Sequence, residues 1–185
     1  MSNDFAYEIL NAREERFKKQ REIIKEYRYP IVTLMVNTPG LEKNNSKVEH
    51  IFTQGVARLL QIFKEERLTV VHQTWDAKKV TGPEGLFVIQ APAKIIKQFC
   101  LILEESHPLG RLWDIDVIDI NCKPISRELL GYKPRKCYVC GNSAKNCARN
   151  QSHSFDETIS KFYKISNPMI HSAKGPTTRS GDKHG

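Results

Sequence analysis

Asp114 and Asp116 are the residues best placed to do chemistry. They stand in Leu112-Trp113-Asp114-Ile115-Asp116-Val117-Ile118-Asp119-Ile120, an alternation of apolar and acidic residues that predicts a strand over Leu112 to Ile120. Residues two apart in a strand share a face, so the two carboxylates would lie roughly 6.6 Å apart at ~3.3 Å rise per residue. Trp113, Ile115 and Val117 would take the opposite face, with Asp119 on that side, where it could be structural. Like charges side by side repel, and such a pair is best explained by a cation or proton between them. Mg²⁺ suits it: a hard ion that takes oxygen ligands and keeps positions open for phosphate oxygens. It would polarise an attacked phosphorus and offset the charge of a leaving group. The alternative is a pair of solvated acids on an exposed sheet face.

Cations surround the pair. Arg111 precedes it, and from Lys123 to Arg149 seven Lys or Arg face Glu128 as the single acid. Arg127, Arg135 and Arg149 could each grip phosphate oxygens in bidentate fashion or be surface cations, and surface is the default for Lys133 and Lys145. His107, before Pro108, is either a base or phosphate ligand, or a helix-end cap. The formal net charge of +8 favours an anionic partner: a nucleotide, a nucleic acid or an acidic protein.

A second group of reactive side chains is Cys137-x-x-Cys140, Cys147 and His153. Three thiolates and an imidazole suit tetrahedral Zn²⁺, although the spacing is shorter than in common zinc fingers. Ordinary buried thiols and a redox role are the other readings. Cys100 and Cys122 sit in apolar patterns and are expected in the core.

These residues need a frame. Asp4 is expected to cap a helix running to Tyr27, with Ala6, Leu10, Phe17 and Ile24 at helical spacing. Arg13 and Gln20 fall on the same stripe, as snorkelling side chains or as groups projecting into a polar site under the helix. Ile31 to Val36 reads as a buried strand, ended by the turn Asn37-Thr38-Pro39-Gly40, which brings Lys43 close to an anion-binding edge. Then follow a helix over Val48 to Glu66, strands over Leu68 to Trp75 and Gly85 to Gln90 around Thr81-Gly82-Pro83-Glu84, and a helix over Ala93 to Ser106. A short strand is expected to start at Cys122. Ser154-Phe155-Asp156-Glu157 is a capping box opening a last helix to Ile165. The fold class is α/β or α+β: one catalytic domain over 1–165, a Cys/His-rich sub-element at 137–153, and a disordered tail over 166–185.

The composition, 39% hydrophobic and 27% charged, is that of a globular protein, and no apolar run can span a membrane. The N-terminus lacks a secretory pattern, so a cytoplasmic location and no structural disulfide are expected.

The run His107-Pro108-Leu109-Gly110-Arg111-Leu112-Trp113-Asp114-Ile115-Asp116-Val117 resembles the signature of the apo-citrate lyase phosphoribosyl-dephospho-CoA transferases, also called citrate lyase holo-acyl carrier protein synthases. Arg13-Glu14-Glu15-Arg16 with Gln20, Asn37-Thr38-Pro39-Gly40 with Lys43, and Thr81-Gly82-Pro83-Glu84 reinforce it in order. Ser126-Arg127, Arg135-Lys136-Cys137, Cys147-Ala148-Arg149 and His153 complete it, over Ala6 to Ile165. The resemblance implies a nucleotidyltransferase-like mixed sheet flanked by helices. It implies attack on triphosphoribosyl-dephospho-CoA by a serine of the lyase's acyl carrier (gamma) subunit, with diphosphate leaving. Asp114 and Asp116 would hold Mg²⁺. Arg111, Arg127, Arg149 and Lys43, with Arg13, Gln20 and His107, would meet the substrate. A third carboxylate, expected in that fold, is open among Glu84, Glu104, Glu105 and Asp119. Neither a nucleic acid nor a membrane is an expected partner. The rival readings are a zinc-stabilised nucleic-acid-binding module, against which stand few aromatics beyond Tyr132 and Tyr138 for base stacking, and a non-catalytic lyase assembly factor.

Overall fold

The computed structural model describes residues 2–172, and the side chains of residues 5–167. In chain order the elements are α1 (Ser2–Tyr27), β1 (Ile31–Val36), α2 (Ser46–Glu65), β2 (Thr69–Asp76), β3 (Glu84–Gln90), α3 (Ala93–Ser106), β4 (Trp113–Ile118), α4 (Ala144–Arg149) and α5 (Phe155–Ser172). Among the described residues no helix is long and apolar enough to cross a membrane.

The strands form one sheet in the order β2-β3-β1-β4. Helices and strands share the fold as expected, in its α+β form: where a mixed sheet was implied, every pairing is antiparallel. The β2–β3 hairpin accounts for this, because it returns β3 beside β1 in the opposite sense, and β4 pairs antiparallel with the other edge of β1.

The two faces of the sheet differ. Val32, Leu34 and Val36 of β1, with Phe87 and Ile89 of β3 and Trp113, Ile115 and Val117 of β4, point into the main core. There they meet Val48, Ile51, Phe52, Val56, Leu59 and Phe63 of α2, Ile96, Cys100 and Leu103 of α3, and Phe162 of α5. Burial of this apolar area is the chief stabilising term. Asn45 caps α2 by accepting from the backbone N–H groups of Lys47 and Val48. Trp113 is fully buried and donates through Nε1 to the Ile51 carbonyl at 2.9 Å, so the residue before Asp114 is locked to α2.

On the other face α1 packs Ile23 and Ile24 on Ile31, Leu86 and Val88 at one end only. Beyond that patch the sheet presents Thr33, Met35, Asp114, Asp116 and Glu84, in register across β3, β1 and β4. This changes the reading of α1. The inward residues are Ala12, Gln20, Ile23 and Ile24, whereas Leu10 and Phe17 of the expected apolar stripe are 58% and 53% exposed. A helix lying over a polar floor has no need of a continuous apolar stripe. The helix also begins at Ser2, so Asp4 lies inside it and does not cap it.

Other differences are local. β4 ends at Ile118, two residues early, because Asp119 starts a tight turn: its carboxylate accepts from the Asn121 and Lys123 N–H groups. The expected strand at Cys122 is a single bridge between Ile118 and Pro124, and Cys122, with φ of 59°, is exposed and not in the core. α5 opens on the expected capping box, Ser154 N–H to Glu157 Oε2 at 2.8 Å and Glu157 N–H to Ser154 Oγ at 3.1 Å. It runs past Ile165 to Ser172, so residues 166–172, expected in the tail, are helical. Ser166 is fully buried within this helix and its hydroxyl donates to the Tyr163 carbonyl at 3.0 Å. The rest of the expected tail, 173–185, lies outside the described residues.

Candidate functional site

β4 is an edge strand, and an edge leaves backbone groups without a ladder partner. Here side chains of α3, the Arg135 guanidinium and the backbone of Ile125 cover them. Lys97 of α3, almost fully buried, donates to the Ile115 carbonyl at 2.8 Å. Glu104, two turns further along α3, accepts from the Ile115 N–H at 3.3 Å. Arg135 donates to the carbonyls of Trp113 and Arg111, and Ile125 N–H donates to the Val117 carbonyl. The residue between the two aspartates is therefore held by both of its backbone groups.

So fixed, β4 turns Asp114 and Asp116 into a cleft of about 730 Å³ beneath α1. Arg13, Arg16, Phe17, Gln20 and Arg21 of α1 form its wall and Thr33 and Met35 of β1 its floor, with Asn121 and Cys122 at the rim. The structure thus brings Arg13 and Gln20 together with the aspartate pair, the polar-site reading of those residues. Arg13 lies over the Phe17 ring, 5.7 Å from its centroid.

Burial, then the charge of Asp114, holds the Asp116 carboxyl above its usual range, with Lys97 and Arg135 pulling it back. Asp114 is half exposed and takes a hydrogen bond from Arg135 Nη1 at 3.2 Å. Two acids on one face, one of them resisting ionisation, fit a divalent cation: the ion would relieve a repulsion that Lys97 and Arg135 offset only in part.

The other expected residues are distributed differently. Arg111 and Arg127 line a neighbouring cleft of about 550 Å³ with Lys133, Lys136, Glu105 and Tyr132. Arg127 is already engaged there, by Glu104 at 2.9 Å, Glu105 at 3.5 Å and the Lys133 carbonyl. Burial, then Arg135 and Arg127, lowers the pKa of Arg111, with Glu104 pulling it back. Lys43 does not line the aspartate cleft; its ammonium donates to the Thr38 carbonyl at 2.9 Å and closes the turn after β1. His107 is the C-cap of α3, its backbone N–H donating to the Leu103 carbonyl at 3.1 Å, while its ring stacks on Trp113 with centroids 4.6 Å apart and its Nδ1 accepts from Leu109 N–H. Arg149 sits exposed at the end of α4 and lines neither cleft.

Of the four open carboxylates, Glu84 alone shares the aspartates' sheet face: Met35 lies opposite Asp114 on one side and Glu84 on the other. Glu84 is held by Arg16 at 3.1 Å and Lys79 at 2.7 Å. Glu104 braces β4 from α3, and Asp119 forms its turn.

Arg16, Lys97, Glu104 and Arg135 are the residues whose roles the sequence did not announce. For Lys97 the signal was present: a lysine on the apolar face of an α3 otherwise built from Ile96, Cys100 and Leu103 has to find a buried acceptor.

Cys137, Cys140, Cys147 and His153 also converge, their ligand atoms all within 4.8 Å of one another. Burial works against ionising Cys137, but N–H donors from Cys140 and Val139 and the neighbouring thiols outweigh it and bring its pKa to about 7. Cys100, in the core, is pushed up by burial to about 12 and is inert.

Fold and site together define an α+β protein with a carboxylate pair facing cations across a cleft, an arrangement suited to a polyphosphate substrate. Residues 6–168 match the family model described as apo-citrate lyase phosphoribosyl-dephospho-CoA transferase. The chain is 34% identical over 162 residues to a Shigella boydii protein of that name, covering 88% of each chain. It is also 35% identical over 157 residues to the protein CitXG of Haemophilus influenzae and 36% over 166 residues to that of Leuconostoc mesenteroides, covering 85% and 89% of this chain. It spans about a third, 34%, of the length of each of those two proteins. The chain belongs to the apo-citrate lyase phosphoribosyl-dephospho-CoA transferase family.

Proposed function

We propose that this chain transfers a phosphoribosyl-dephospho-CoA group from triphosphoribosyl-dephospho-CoA to a serine of the citrate lyase acyl carrier (gamma) subunit. The serine Oγ–phosphorus bond forms as the bond from that phosphorus to the diphosphate oxygen breaks, and the serine proton passes to the medium. Family membership supports this reading, and one structural observation carries it: Asp114 and Asp116 open into a single cleft with Arg13, Arg16 and Gln20.

Chemistry of this kind is mainly positioning and charge neutralisation. Asp114 and Asp116 would hold Mg²⁺, which when bound would polarise the phosphorus and stabilise the departing diphosphate. Arg13 and Gln20 line the cleft from α1 and would meet phosphate or ribose oxygens. Arg135 donates to one Asp114 oxygen and so aims that carboxylate. Arg111, with Lys133 and Lys136, offers cationic charge in the adjoining cleft for the remaining phosphates. Thr33 and Met35 of β1 form the floor on which the substrate would rest.

The test follows diphosphate release by a coupled assay with Mg²⁺, the precursor and apo carrier. Release should require the carrier and should vanish when its acceptor serine is replaced by alanine. Release that continues without the carrier would mean hydrolysis, and would defeat the proposal.

A further inference from the structure

The geometry points to a structural zinc site made by Cys137, Cys140, Cys147 and His153, which fastens the Arg135 loop beside the aspartate pair.

Four potential ligand atoms lie within 4.8 Å of one another, and the Cys140 and Cys147 sulfurs are 3.6 Å apart. Around one zinc ion with Zn–S near 2.3 Å, tetrahedral sulfurs sit ~3.8 Å apart, so this separation fits a shared ion. It is far longer than the ~2.05 Å of a disulfide. A second observation is independent of the thiols: His153 Nε2 is buried with no hydrogen-bond partner. A buried imidazole nitrogen without a partner is costly, and a metal beside it removes that cost.

The backbone is built as a knuckle. Cys137 N–H donates to the Asn142 carbonyl, Gly141 N–H to the Cys137 carbonyl, and Val139 N–H to the Cys137 sulfur at 3.4 Å. Gly141 takes the left-handed φ of 80° that this turn requires. Ser143 caps α4, which supplies Cys147, and Ser154 opens α5 one residue after His153. The Ala144 N–H donates to the Arg135 carbonyl at 2.8 Å. The ion would therefore tie α4 and the entry to α5 to the strand-like segment whose Arg135 reaches Asp114, in a region with few core residues to order it.

The test is metal analysis of the full chain, expressed and purified without chelator under reducing conditions. One zinc per chain is expected, falling to background in Cys140→Ser and in Cys147→Ser. Should those variants fail to fold, the unaltered chain decides by cobalt exchange, where tetrahedral thiolate-bound cobalt gives strong visible d–d bands. Zinc well below one per chain with no such bands overturns the proposal, as does an intact mass showing Cys140 and Cys147 joined by loss of two hydrogens. The zinc count does not depend on transfer activity, so it stands or falls apart from the proposed function.

Discussion

Arg135 reaches Asp114 across twenty-one positions of the chain and bonds it at 3.2 Å, while its other terminal nitrogen serves the carbonyls of Arg111 and Trp113. One planar cation thus binds both the aspartate and the backbone that carries it. Replacing Arg135 by Ala should lower kcat/KM for transfer roughly 10- to 100-fold, the worth of one charge-assisted hydrogen bond. Arg135→Lys should recover little, because a point charge cannot serve three acceptors in a fork. Steady-state kinetics beside a thermal-unfolding control would check this; full activity in Arg135→Lys would contradict it.

Asp116 makes stability depend on pH in a direction that can be fixed in advance. Burial, then the Asp114 charge, raises its folded pKa above the unfolded value. The folded chain then holds the proton more tightly than the unfolded chain, so the contribution is present below the unfolded carboxylate value and lost as pH rises through the folded one. The melting temperature of the parent protein should therefore fall relative to Asp116→Asn across that window. Mg²⁺ should narrow the gap by favouring the ionised form. Parallel melting curves with and without Mg²⁺, read by differential scanning fluorimetry, would count against a metal on this pair.

Lys97 satisfies the Ile115 carbonyl and offsets the Asp116 charge. Lys97→Met should destabilise the fold by about 1–3 kcal/mol, the cost of a buried unpaired acceptor. It should also move the acid limb of the transfer pH profile upward, since Asp116 loses a cation that lowers its pKa. Urea unfolding and a pH–rate series check the two effects separately.

Gly110 stands where α3 hands the chain to β4. A Cβ there would lie 2.3 Å from the Glu104 carbonyl oxygen, and backbone cannot move aside as a flexible side chain can. Gly110→Ala should cost about 3 kcal/mol, the upper end for overpacking, and displace the start of β4. Gly131→Ala, with open space around its Cβ position but φ of 77°, should cost less. Paired denaturant midpoints would show the order.

Much of this was legible along the chain because it is periodic. Alternation placed Asp114 and Asp116 on one face and Trp113, Ile115 and Val117 on the other, as β4 has them, and β1 and α3 match the expected bounds. The Ser154–Glu157 capping box was equally plain, since both partners are local. What escaped depends on tertiary neighbours. α1 was expected to bury Leu10 and Phe17, but it covers a polar cleft, so the stripe through Arg13, Phe17, Gln20 and Ile24 marked the inward face without the burial expected of it. Lys43 and His107 carry suitable chemistry, yet one closes a turn and the other caps a helix on Trp113. Arg135 was one cation among seven until the fold set it on Asp114. Glu104 acts on a backbone group, which no residue pattern reveals, whereas the place of Lys97 on the apolar face of α3 at least announced a buried acceptor.

The central claim is that Asp114 and Asp116 drive transfer of the prosthetic group to the carrier, and the mass of the carrier tests it most directly. Purified protein would be incubated with Mg²⁺, triphosphoribosyl-dephospho-CoA and apo acyl carrier subunit, and the carrier weighed by intact-mass spectrometry. The carrier should gain one phosphoribosyl-dephospho-CoA unit, dependent on Mg²⁺, with Asp114→Asn and Asp116→Asn slowed roughly 10²-fold or more, the scale for losing a group that stabilises transition-state charge. An unchanged carrier mass, with a carrier that another synthase can modify, would contradict the account, as would full modification by the Asp114→Asn, Asp116→Asn double variant.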